Sequence, residues 1–197
     1  MAAFFTIEIA DEERWHLTES CWDKSPFNVL ACQEVNISDP IRFRIFQDGK
    51  RVDLDSTSFS TLVVSRRFAD VVSSIAPNDV QRIPAIVDGD DGEWEVLNVI
   101  TCLDCIDYHK SIITSYYPAN HPDRPGKPRG VLYLVFDANR IGSHRIFRPK
   151  GWEVELVVSD TVKNALMEIG VTGVDFVPKK DDAERVLRVE GFSNVEF

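Results

Sequence analysis

The sequence predicts an α+β fold: a mainly antiparallel sheet with two duplicated strand-helix-strand units, over residues 62–84 and 156–178. Two observations lead there. Without a gap, LVVSRRFADVVSSIAPNDVQRIP (62–84) aligns with LVVSDTVKNALMEIGVTGVDFVP (156–178), with identities at Leu62, Val63, Val64, Ser65, Ile75, Val80 and Pro84 of the first copy. Elsewhere the chain is dominated by short apolar runs and short connections, which favour antiparallel neighbours over crossovers.

Residues 3–10 are almost continuously apolar, as in a buried strand, and the charges of residues 11–14 end the run. In residues 42–54, RFRIFQDGKRVDL, apolar and polar residues alternate on both sides of Asp48-Gly49. That pair suits a tight turn with positive φ, so a hairpin is expected. In each repeat an apolar strand leads to a serine, Ser65 or Ser159, placed to cap a helix. Phe68, Val71, Val72 and Ile75 share one helical face, and Val162, Ala165, Leu166 and Ile169 repeat the spacing. Pro77 and Gly170 stop the helices, and Pro84 and Pro178 are expected to close the strands that follow.

Between the repeats, strands are expected over residues 93–100 and 131–136. The segment TSYYPANHPDRPGKPRG, residues 114–130, carries Pro118, Pro122, Pro125 and Pro128 and reads as an irregular loop. Residues 181–197 show no clear period. The chain is read as a single domain of residues 1–197, with an N-terminal lobe over 1–58, a core over 59–180 and a tail over 181–197.

Hydrophobic residues make up 44% and charged residues 27%, a globular balance. The net charge of -10 disfavours nucleic acid and anionic lipid and suits a basic partner. There is no apolar run of bilayer length, and the acidic start does not read as a secretory signal. Four cysteines, Cys21, Cys32, Cys102 and Cys105, are few for a secreted scaffold. A cytoplasmic, reducing location is expected.

Charge is also segregated. Asp88, Asp90, Asp91, Glu93, Glu95, Asp104 and Asp107 fall in a stretch, residues 83–109, without lysine or arginine, and residues 110–150 are strongly basic. Such blocks mark a partner's footprint or surfaces that neutralise each other. The candidate partner-binding residues are Asp88, Asp90, Asp91 and Glu93, with the aromatic residues Trp94, Tyr116 and Tyr117, which are types that anchor interfaces and equally fill cores.

Chemistry is harder to find. Cys102-x-x-Cys105-x-x-x-His109 offers two thiols and an imidazole, but a closed zinc site needs a fourth ligand and none lies nearby. Buried thiols are the simpler reading. No G-x-S-x-G elbow or phosphate loop occurs, and Gly142-Ser143-His144 lacks a strand-turn-helix frame. Asp104 and Asp107, three apart, fit a solvated turn. No catalytic residue, metal or cofactor is predicted, and the chain is not expected to be an enzyme.

Three pieces together resemble a family of bacterial immunity proteins encoded beside polymorphic toxins, the family with a myxobacterial namesake. They are residues 62–84; the strand EVLNVITCLDCIDYHKS, with D-C-x-D at Asp104-Cys105-Ile106-Asp107; and FDANRIGSHRIFRPKGWEVELVVS with the second repeat, with H-x-I-F-R at residues 144–148. The resemblance runs over residues 62–178 in the family's order. Cys105 belongs to the recurring pattern and Cys102 does not. It implies a cytoplasmic role in interbacterial competition, binding and neutralising a cognate toxin, and supplies no catalytic residues. The alternatives are a small-molecule-binding enzyme, which needs a pocket with convergent polar groups, and a structural subunit of a secretion system. The oligomeric state is not set by the sequence.

Overall fold

The computed structural model describes residues 3–10, 13–19, 28–57 and 60–179. The first part of the chain forms β1 (Phe4–Ile9), β2 (His16–Glu19), a 3-10 turn (Val29–Ala31), β3 (Ile41–Gln47) and β4 (Leu54–Ser56). The first repeat forms β5 (Leu62–Ser65), α1 (Arg66–Ile75) and β6 (Val80–Asp88). Then come β7 (Trp94–Val99), β8 (Cys102–Leu103), β9 (Ile112–Tyr116), β10 (Pro128–Tyr133), α2 (Ala138–Ile141) and β11 (Ile146–Pro149). The second repeat forms β12 (Val157–Ser159), α3 (Asp160–Glu168) and β13 (Val174–Lys179).

These strands make three sheets, where a mainly antiparallel one was expected. The larger two have the orders β2-β3-β6-β7-β5-β4 and β13-β1-β12-β11-β8, and β9 pairs with β10 in a third. Both larger sheets are mixed, because β3 runs parallel to β6 and β8 parallel to β11. A parallel neighbour needs a long crossover, and β4, β5 and α1 supply one between β3 and β6. In both repeats a strand from elsewhere lies between the two outer strands: β7 between β5 and β6, and β1 between β12 and β13.

Both helices start as their sequences dictate. Ser65 Oγ accepts from the Phe68 amide at 3.4 Å and Ser159 Oγ from the Val162 amide at 3.4 Å. The helices bury Phe68, Ala69 and Val72, and Val162 and Leu166, in one core with Leu62 and Val64 of β5, Leu97 and Val99 of β7, Ile7 of β1 and Val158 of β12. That core joins the two larger sheets. A second cluster, with Trp15, Phe43, Ile83 and Trp94, covers the other face of the six-stranded sheet, and a third holds Cys105, Ile141, Phe147 and Val157.

Several local expectations need correction. No hairpin forms over residues 42–54, because β3 pairs with β2 and β6 rather than β4. Gly49 is needed for close approach instead of positive φ: a Cβ there would lie 2.4 Å from the Arg14 carbonyl carbon. Pro84 does not end its strand, and β6 runs on to Asp88. It is tolerated because β3 joins β6 only from Ala85 onward, so one side of the strand has no ladder at Pro84. Pro178 lies on the edge strand β13. Residues 114–130 are not wholly irregular, since their ends belong to β9 and β10, and Pro128 occupies a strand's first position. Past Tyr133 the expected strand gives way to a single bridge between Phe136 and Ile106. The tail over 181–197 lies outside the described residues.

A buried carboxylate ties the two repeats together. Asp53 accepts from Ser65 Oγ at 2.7 Å, from Arg67 Nε at 2.6 Å and from Arg67 Nη2. It also accepts from the Thr172 amide at 2.9 Å and its hydroxyl at 2.8 Å. Gly173 follows at φ +82, where a Cβ would strike Leu54 O and Val52 Cβ at 2.7 Å. Burial opposes ionisation of Asp53, but Arg67, Ser65 and Thr172 outweigh it and hold the carboxyl at about 2. The folded value is depressed from 3.8, so this contribution is complete above pH 3.8 and is lost as pH falls toward 2. Asp53→Asn should lower stability to urea near neutrality by about 2 kcal/mol, discounted for the half-exposed Arg67. The difference from wild type should vanish through that acid window.

Candidate partner-binding surface

The predicted acidic segment is the turn between β6 and β7. Asp90 builds it: its Oδ1 accepts from the Gly92 amide and from Trp94 Nε1, both at 2.8 Å, and its Oδ2 meets Arg51 at 3.3 Å. A Cβ at Gly92 would crowd the hydrogen bond that builds the turn, lying 2.7 Å from Asp90 Oδ1 and 2.8 Å from Trp94 Nε1. Trp94 is only 4% exposed, with its ring 5.2 Å from Trp15 and the Arg51 guanidinium 5.0 Å above it. It is a core residue supporting the turn from beneath, and Asp90 is committed to holding it.

The remaining acids are exposed, and two of them are paired. Asp88 pairs with Arg42 at 3.0 Å and Glu93 with Arg66 at 2.7 Å, while Asp91 is exposed at the turn. Behind them Arg82 Nε and Nη2 grip Glu95 at 2.5 and 2.6 Å, and its Nη1 reaches Asp70 at 2.7 Å. The acidic block is therefore neutralised by arginines of α1, β3, β6 and the segment after β3. In the basic block downstream Lys127 meets Glu153, and Lys110 meets Asp107 at the acidic stretch's own end. Exposed pairs such as Arg42–Asp88 are each worth about 0 to 1 kcal/mol, so an incoming charge can exchange with them.

The geometry adds residues that the charge pattern did not single out. On β3, Ile41 and Phe43 point into the core, and Arg42, Arg44 and Phe46 point out. Register places Arg42 beside Ile86 and Arg44 beside Asp88, so these side chains share the face that α1 covers farther along β6. Beyond the helix that face is open: Phe46 is 74% exposed and Ile86 36%. Next to it is an open groove of about 360 Å³ lined by Arg66, Arg82, Pro84, Glu93 and Glu95. The available signal was Phe46 itself, an apolar residue out of phase with its strand.

Tyr116 and Tyr117 lie on a different element, the β9–β10 hairpin. Tyr116 is 52% exposed. Tyr117 stacks 4.6 Å from His121 and lies under Arg124 and Arg129. Nor does the structure gather Cys102, Cys105 and His109. Cys105 is buried in the third core cluster, His109 is exposed, and Cys102 is half-buried at the start of β8. Among the described residues no group of three His, Cys, Asp or Glu side chains could hold a metal ion. No helix among them is long and apolar enough to cross a membrane.

The Immunity protein family (Imm11) matches residues 4–181, so the match also takes in the N-terminal strands that the sequence resemblance left out. The chain belongs to the Imm11 immunity protein family. A search of curated proteins finds no match.

Trp94→Ala removes a buried ring from this Imm11 protein and should cost about 3–5 kcal/mol in urea unfolding. Asp90→Ala leaves the Trp94 indole N–H without its acceptor and should cost about 1–3 kcal/mol. Both should blue- or red-shift the tryptophan emission of the folded state, a change that Asp91→Asn should not produce.

Proposed function

We propose that this protein confers immunity by binding a cognate toxin stoichiometrically in the cytoplasm, without catalysing a reaction. Membership of the Imm11 family supports the immunity role. The structural observation that carries the surface assignment is the half of the six-stranded sheet left open beyond α1, with exposed Phe46 and Ile86 bordered by Arg42–Asp88 and Arg66–Glu93. Apolar side chains ringed by exchangeable charges form the usual anatomy of a protein interface. Asp88, Asp91 and Glu93 steer a basic toxin, and Phe46 and Ile86 hold it once docked. Tyr116 and Tyr117 offer a second contact if the toxin reaches the β9–β10 hairpin.

The two strand-helix-strand units are best understood as duplicates. Their shared serine caps and the strand inserted within each support that reading, and superposing residues 62–84 on 156–178 is its check.

Immunity is tested in cells expressing the toxin encoded beside the gene: wild type should restore growth, and Phe46→Ala with Ile86→Asp should lose protection while keeping wild-type urea stability. For the purified pair, Asp88→Asn, Asp91→Asn and Glu93→Gln together should slow association and flatten its salt dependence, whereas Phe46→Ala should mainly speed dissociation. Growth unaffected by the surface pair would move recognition off this sheet. Failure of wild type to protect would remove the immunity assignment.

A further inference from the structure

The arginines around the acidic turn each have a carboxylate within reach: Arg42 meets Asp88, Arg51 meets Asp90, Arg66 meets Glu93 and Arg82 meets Glu95. The connection between β9 and β10 behaves differently. Arg124 and Arg129 are exposed there, and no carboxylate among the described residues pairs with either. Both guanidiniums instead lie over the ring of Tyr117, 5.8 and 6.0 Å from its centre. Acids are abundant in a chain of net charge -10, yet Asp123 is the only one from Ile112 to Tyr133.

The chain holds these two cations in place without using up their donors. The Tyr117 amide donates to Lys127 O at 2.9 Å, the His121 amide to Pro118 O at 3.0 Å and the Lys127 amide to Arg124 O at 3.3 Å. His121 Nδ1 accepts from the amides of Asp123 and Arg124 at 3.3 and 3.1 Å, and its ring lies 4.6 Å from that of Tyr117. Pro118, Pro122 and Pro125 each fix one backbone angle, and Gly126 at φ +65 lets the chain turn back. Attraction to a ring face calls on no particular N–H, so the donors of each guanidinium stay available to an outside acceptor. A carboxylate is the acceptor that the planar fork fits with two parallel bonds.

We propose that the β9–β10 connection is a cationic arm that binds a carboxylate-rich segment of a partner protein, with Arg124 and Arg129 as the groups that grip its acids. An arm already ordered by its own bonds loses little freedom on binding, so its ion pairs weaken less than those of free side chains. The occupant is a protein segment rather than a nucleic acid, because the arm is short and the body that carries it is acidic. A polyanionic strand leaving the arm would run along that repulsive body, whereas a few acids on a folded partner meet the arm alone. The arm and the acidic turn lie on different sheets, giving the protein two poles of opposite sign that fix the orientation of a docked partner. That this partner is the toxin rests on the immunity reading; the preference for carboxylates does not.

The test uses the isotope-labelled full chain, followed by amide NMR, and a short capped peptide of alternating Asp and Glu. The peptide should move signals of residues 117–129, and the shifts should shrink as salt is raised. Arg124→Gln with Arg129→Gln should weaken binding at least about tenfold while keeping wild-type urea stability. Arg124→Lys with Arg129→Lys, which keeps the charge and loses the fork, should recover only part of it. Arg42→Gln with Arg44→Gln should bind as wild type does. Shifts around Arg42 and Arg66 instead, an Asn and Gln peptide moving the arm equally, a single DNA strand of the same length binding the arm more tightly, or no salt-dependent shift in the arm would each overturn the assignment. Failure of wild type to protect cells from the toxin would leave the peptide result standing and remove only the toxin as the partner.

Discussion

The carboxylate of Asp53 joins the turn between α3 and β13 to the end of β5 and the start of α1, stretches that no strand ladder connects. One acid thereby anchors the Ser65 cap of α1 and receives the backbone after α3. Arg67 completes the junction by donating to Ile169 O at 2.9 Å and Gly170 O at 3.3 Å, the carbonyls left over where α3 ends. A second buried acid repeats the device across the other junction. Asp79, after α1, meets His144 Nδ1 at 2.5 Å, the Arg145 amide at 2.9 Å and Thr101 Oγ1 at 2.8 Å. Burial opposes its ionisation, and these donors still hold its carboxyl below the usual range. Between the two acids, α1 and α3 are clamped against each other and the two larger sheets close over one core.

That closure decides what remains open. With α1 held over the β5 side, Arg42, Arg44, Phe46, Ile86 and Asp88 have no helix above them among the described residues. The opposite face of the same strands is sealed by Trp15, Val35 and Ile37. An open sheet face is a rigid platform, and its charges are already balanced within the protein. Recognition there exchanges internal ion pairs for intermolecular ones, and the apolar side chains supply the gain.

What the sequence made legible was local. Ser65 and Ser159 as caps, the buried helix faces and the stops at Pro77 and Gly170 each depend on residues within one or two turns. Asp53 and Thr172 are separated by 119 positions, and nothing in either's neighbourhood announces the bond. Cys102 was weighed with Cys105, its neighbour in sequence, although only Cys105 is taken into the core. Asp48-Gly49 misled because a glycine demanded by backbone approach to Arg14 looks the same in sequence as one demanded by a turn. The acidic segment was visible in the sequence as a charged block, but its arginine partners come from four other places. Trp94 stayed open between anchor and core because aromatic residues beside charges suit both, and its burial follows from pairing across β6 and β7.

The central claim, that the open half of the six-stranded sheet is the toxin-binding face, is tested most directly by hydrogen exchange on the free and toxin-bound protein. Added protection in residues 41–47 and 84–95, with β1 and β13 unchanged, is the expected result. Protection confined to the β9–β10 hairpin or to the five-stranded sheet, with residues 41–47 and 84–95 exchanging as in the free protein, would contradict it.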